Sequence, residues 1–257
     1  MSTGQKRFYL GSNWKMNKTI REMEEYLPQF AAFAAQYPGT QFFAIPPYTH
    51  LQLANELLKD TSVKLGAQNA HWLPCGPYTG EISPDWLKDF GVEIVELGHS
   101  ERRAYYNEND WDLNKKVQAT QSRGLTALLC IGENRQEKDF GVTEEVLRRQ
   151  LKIALKDNKA PELWVAYEPV WAIGEGGTPA EPDYVEQAHG MIRKALCELF
   201  GGEGKKVPLL YGGSVNPGNC AALAELDHVN GLFIGRSAWD IRQFKKIVGT
   251  LDKLKKL

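Results

Sequence analysis

Eight short runs of apolar or β-branched residues, each followed by a stretch with helical periodicity, constrain this chain more than any other feature. The runs are Phe8 to Ser12, Gln41 to Ile45, Val63 to Ala67, Glu93 to Leu97, Thr126 to Ile131, Leu163 to Tyr167, Pro208 to Tyr211 and Gly231 to Ile234. They read as strands. Helices are predicted over roughly Thr19 to Tyr37, Tyr48 to Leu58, Pro84 to Phe90, Asp110 to Arg123, Thr143 to Leu155, Tyr184 to Phe200, Cys220 to Leu226 and Ile241 to Leu254. These are amphipathic, as Val146, Leu147, Leu151 and Leu155 show, and Thr19, Ser83 and Thr143 stand where N-caps are expected.

Strict β/α alternation calls for a parallel sheet with right-handed crossovers. Eight units in 257 residues match a single-domain (β/α)8 barrel of the α/β class, spanning 1–257. An open doubly wound sheet is the alternative. Against it, no G-x-G-x-x-G follows the first strand, and no G-x-x-x-x-G-K-[ST] occurs. The cluster Gly201, Gly202, Gly204, Lys205, Lys206 reads as a surface turn.

A net charge of −1 gives no reason to expect nucleic acid or an anionic membrane as partner. The opening MSTGQKRFYLGSNWK has no signal-peptide core, and no run approaches the ~20 apolar residues of a membrane span, so the expected location is cytoplasmic. Cys75, Cys130, Cys197 and Cys220 are far apart and are read as buried thiols. His50, His71, His189 and His228 are read as surface or capping residues.

In such a barrel the active site lies at the C-terminal ends of the strands. Asn13, Trp14 and Lys15 follow the first; Gly98, His99, Ser100 and Glu101 the fourth; Glu168 the sixth; Gly212, Gly213 and Ser214 the seventh; Gly235 the eighth. Glu168 is followed by Pro169 and an apolar loop, Val170, Trp171, Ala172, Ile173, ending in Gly174, Glu175, Gly176 and Gly177. That pattern reads as a base beneath a mobile lid. The glycine-rich turns after strands seven and eight suit a phosphate. Glu168 could take a proton from a carbon beside a carbonyl, with His99 polarising that carbonyl and Lys15 countering the developing charge. This is the chemistry of enolisation, with no cofactor expected. The sequence shows no dense cluster of metal ligands.

Seven motifs in order, GSNWKMN (11–17), GAQN (66–69), TGEIS (79–83), ELGHSERR (96–103), CIGE (130–133), YEPVWAIG (167–174) and YGGSV (211–215), resemble those of the triosephosphate isomerase family. The resemblance covers nearly the whole chain and implies a TIM barrel. It implies Glu168 as general base, His99 as a neutral electrophile, Lys15 and Asn13 as oxyanion and phosphate partners, and Glu101 as their support. It also implies phosphate contacts from Gly174, Ser214 and Gly235. A homodimer is implied, with the long loop from Asn69 to Pro84 reaching the partner and Thr79 at the contact. The default substrate is a triose phosphate, dihydroxyacetone phosphate exchanging with D-glyceraldehyde 3-phosphate, which places the enzyme in glycolysis and gluconeogenesis. The chain departs from the family's usual pattern in the lid (Glu175 to Pro179), at Arg236 after Gly235, and at His71 and Trp72. These departures suggest the family's sister activity on erythrulose phosphates, with Arg236 adding charge at the phosphate end. An inactive barrel serving as a binding protein is the remaining alternative, although Glu168, His99 and Lys15 are all kept.

Overall fold

The computed structural model describes residues 7–174 and 177–257, so Glu175 and Gly176 of the expected lid lie outside the described residues. The first half runs β1 (Phe8–Asn13), α1 (Ile20–Ala34), β2 (Thr40–Ile45), α2 (Leu51–Leu58), β3 (Lys64–Ala67), α3 (Pro84–Asp89), β4 (Ile94–Leu97), α4 (Ser100–Tyr105) and α5 (Asp110–Ser122). The second half runs β5 (Thr126–Ile131), α6 (Arg135–Asp139), α7 (Thr143–Ala154), β6 (Leu163–Tyr167), α8 (Pro182–Phe200), β7 (Leu209–Tyr211), α9 (Cys220–Glu225), β8 (Gly231–Phe233) and α10 (Ile241–Lys253). All eight strands pair in parallel in sequence order, and β8 closes on β1.

The side-chain period of two divides the apolar residues into two cores. Leu10, Phe42, Val95, Leu97, Leu129, Val165, Tyr167 and Leu209 point outward and are covered by the helices. Phe43, Ile45, Ile94, Leu128, Cys130, Trp164, Ala166, Leu210 and Phe233 fill the barrel interior. Continuous apolar runs are therefore what the strands require, since both faces are buried.

Expected strand and helix ends shift by a residue or a few. Helix α1 begins after Thr19, whose side chain forms a capping box with Glu22, and stops at Ala34 short of Tyr37. Helix α8 begins two residues early because Pro182 fits its first turn. The two short helices α4 and α6 were not expected.

Burial corrects several assignments. Cys130 and Cys220 are buried, but Cys75 is exposed and Cys197 half-buried. His50, His71 and His189 are buried, not on the surface, although His50 does stand at the N-cap position of α2, without a capping bond from its side chain. His71 stacks between Trp72 and Tyr78, with ring centroids 4.2 and 4.4 Å away. His189 sits against Tyr167 and Tyr211, where burial lowers its pKa to about 3. His228 is half-buried and pairs with Glu186.

Candidate active site

A pocket of about 860 Å³ opens at the C-terminal ends of the strands, as the fold requires. Asn13, Lys15, His99, Glu101, Glu168, Gly174, Ser214, Gly235 and Arg236 all line it, although they come from five separate parts of the chain.

Lys15 has φ of 53°, in the left-handed region that a non-glycine residue enters at a cost. The bonds around it hold it there. Its backbone N–H donates to Asn13 Oδ1 at 2.6 Å, its carbonyl accepts from Gln68 Nε2 at 2.8 Å, and its Nζ donates to Glu101 Oε1 at 2.7 Å. The ammonium is thus fixed at the mouth by a carboxylate on α4.

His99 occupies the N-cap of α4, and its Nδ1 accepts from the Glu101 backbone N–H at 3.1 Å. An accepting Nδ1 carries no proton, so the ring proton sits on Nε2, which faces Glu168 Oε1 at 3.6 Å. Behind this turn, Glu108 Oε2 accepts from Gly98 N–H at 3.1 Å, and Glu108 is itself paired with buried Lys116 and with Arg102.

Glu168 is only 3% exposed, and its Oε2 accepts from the Ser100 backbone N–H at 3.0 Å. Its backbone N–H donates to Ile131 at 2.7 Å, continuing the β5–β6 ladder. Gly132 allows that approach: a Cβ there would stand 1.9 Å from the Glu168 carbonyl oxygen.

Pro169 and a single helical turn, Val170–Ala172, follow at once. The buried Glu133 carboxylate accepts from Trp171 Nε1 at 2.8 Å, Tyr184 at 2.9 Å and Tyr167 at 3.0 Å, which ties the lid to β6 and α8. Burial raises Tyr184 to about 12, so it remains a donor. On the far side of the lid, Arg236 Nη2 donates to the Gly174 carbonyl at 3.0 Å. Gly177 packs so closely on Ala172 that a Cβ would fall 2.8 Å from its carbonyl carbon. The lid's departure at this position is therefore accommodated by tight packing.

Thr79 lies apart from this group, exposed on a loop with no helix or strand of its own. One participant was missed from the sequence. Glu96, inward on β4 and fully buried, brings its carboxylate, the His99 ring and the Glu168 carboxylate together, with donor atoms within 4.8 Å of one another. The signal was a lone acid inside an apolar strand.

The triosephosphate isomerase family model matches residues 8–251. A relative from Brucella abortus biovar 1 (strain 9-941), named L-erythrulose-1-phosphate isomerase, is 44% identical over 94% of this chain and 95% of its own length. Another of that name, from Rhizobium meliloti (strain 1021), is 46% identical over 93% of this chain and 95% of its own. A crystal structure of triosephosphate isomerase from Bartonella henselae superposes with a TM-score of 0.88 at 38% identity, covering 96% of this chain and 99% of that one. The chain is an isomerase and belongs to the triosephosphate isomerase family.

Proposed function

We propose that this isomerase interconverts L-erythrulose 1-phosphate and D-erythrulose 4-phosphate. The observation that carries this reading is the name shared by relatives 44–46% identical over 93–94% of the chain. The triose reading, and the place in glycolysis and gluconeogenesis that went with it, gives way to this alternative. The chain acts as one domain over 1–257, on a small phosphorylated sugar in the cytoplasm. Among the described residues no helix is long and apolar enough to cross a membrane.

Glu168 acts as the base. It removes the proton from C3 of the ketose, and the electron pair moves through the new C2–C3 double bond to the carbonyl oxygen on C2. The Nε2–H of His99 and the ammonium of Lys15 stabilise that oxyanion, with Asn13 beside them. The proton of the C3 hydroxyl passes to the C2 oxygen by way of His99 Nε2, and return of a proton from Glu168 to C2 then leaves the carbonyl at C3, which balances the reaction. Glu168 rests on Ser100 N–H in this structure; turning its carboxylate toward the substrate gives up that bond as the lid, Pro169 to Gly177, closes. Glu101 holds Lys15 at 2.7 Å. The backbone at Gly174, Ser214 and Gly235 and the side chain of Arg236 bind the phosphate. Thr79 and its loop support a homodimer.

A coupled assay comparing the two substrates tests the reading. L-Erythrulose 1-phosphate is expected to show a kcat/KM at least ~10-fold above glyceraldehyde 3-phosphate, about 1.4 kcal/mol in transition-state binding. The reverse preference leaves a triosephosphate isomerase.

A further inference from the structure

Glu96 is a carboxyl group where the barrel otherwise packs hydrocarbon. Its strand neighbours Val95 and Leu97 join the outer core, and Ile94, two residues earlier on the same face, joins the inner one. Glu96 is 0% exposed. Its Oε2 accepts from Asn13 Nδ2 at 2.7 Å, and its Oε1 lies 3.7 Å from Cys130 Sγ. No ion pair to it is found among the described residues. Asn13 in turn has its Oδ1 occupied by Lys15 N–H at 2.6 Å and Gln68 Nε2 at 3.2 Å. The carboxamide therefore has one orientation, with one N–H on Glu96 and the other left for the pocket that Asn13 lines.

We propose that Glu96 is a positioning residue for the isomerisation, pinning the Asn13 carboxamide from beneath so that its second N–H is presented to the oxyanion beside Lys15. This rests on the reading of Asn13 as part of the site. A buried acid is a costly way to fill space that an aliphatic residue would fill as well. Its retention here is explained by what it holds. The group works uncharged, because burial and then the neighbouring Glu168 carboxylate push it well above the usual carboxylate range. The groups facing it are the Cys130 thiol on β5, itself pushed up by burial, His99 at the end of β4, Glu168 at the end of β6, and Lys15 after β1. Ionisation of Glu96 at alkaline pH would set a second negative charge beside Glu168, where the substrate's own negative charge develops. Turnover would then fall.

Glu96→Gln keeps an acceptor for Asn13 without the titration, and Glu96→Leu removes both. With whichever sugar phosphate the wild type turns over, Glu96→Leu is expected to lose at least ~10-fold in kcat with a smaller change in KM. Glu96→Gln should recover to within about threefold of wild type at neutral pH, and its alkaline limb should move to higher pH. Wild-type kcat in Glu96→Leu, no recovery in Glu96→Gln, or an unmoved alkaline limb overturns the proposal. If Glu96→Leu does not fold, the Glu96→Gln profile decides alone. An infrared difference spectrum of wild type against Glu96→Gln at neutral pH should also contain a protonated-carboxyl band. That readout is independent of the sugar, so its absence counts against Glu96 even if the erythrulose reading stands, and its presence survives if that reading fails.

Discussion

Replacing Arg236 with Gln tests the phosphate end of the pocket, and the structure sets the size of the effect. In the free enzyme the guanidinium is exposed and donates to the Gly174 carbonyl at 3.0 Å. That neutral acceptor contributes about 1 kcal/mol, whereas a charge-assisted bond to a phosphate contributes about 1.5–3 kcal/mol. Binding exchanges one for the other, so the net gain is about 0.5–2 kcal/mol, or roughly 2–30-fold in affinity. Arg236→Gln should therefore raise KM for L-erythrulose 1-phosphate by that factor while kcat changes little. Because the side chain is exposed, the deficit should shrink between ~0.1 M and ~1 M salt, as the Debye length falls from about 10 to about 3 Å. Steady-state kinetics at the two salt concentrations measure both quantities. An unchanged KM, or a loss confined to kcat, refutes the assignment of Arg236 to the phosphate.

Glu168→Gln should lower turnover by at least ~10²-fold while leaving the melting temperature near wild type, since a Gln oxygen still accepts from Ser100 N–H; activity within a few-fold of wild type ends the base assignment. Lys116→Met leaves the buried Glu108 with the Gly98 N–H and, as its one ion-pair partner among the described residues, the half-exposed Arg102 3.3 Å away, and should cost about 3 kcal/mol, the low end for breaking a buried pair. Urea midpoints at fixed protein concentration check this, and a loss below ~1 kcal/mol counts against it. His189 is held neutral in the fold with a pKa of about 3, whereas in the unfolded chain it takes up a proton below about pH 6.5. Its contribution is therefore intact above pH 6.5 and should fall by about 1.4 kcal/mol per unit toward pH 3, about 2 kcal/mol by pH 5. His189→Phe should remove that part of the acid slope; an unchanged slope rejects the reading.

The sequence revealed the barrel because each strand is apolar on both faces and each helix on one, a local pattern that survives any detail of packing. It revealed Asn13, Lys15, His99 and Glu168 because the architecture turns "after a strand" into "at the mouth". What it hid depends on contacts between distant segments. Glu133 gathers three donors, one from the lid, one from β6 and one from α8, and nothing near CIGE announces them. His189 sits at the third turn of an amphipathic helix, and only the register of α8 against β6 and β7 decides that its ring is inside. Cys75 was misplaced for the opposite reason, since a loop without periodicity gives no indication of which side chains face water. Glu96 was visible as an acid in a strand, but its meaning required knowing that Asn13 stood above it.

The contact between Gly132 and the main chain of Glu168 has a consequence for how such an enzyme can change its substrate. The main chain of Glu168, the base proposed above, is seated by backbone against backbone, with no room for even a methyl group. From Pro169 onward the chain leaves the strand and is held by side chains, Trp171 on Glu133 and Arg236 on Gly174. Inherited variation can therefore reshape the cover over the pocket, one substitution at a time, while the proposed base keeps its address. A scaffold divided in this way can be passed from one phosphorylated ketose to another without relearning its chemistry.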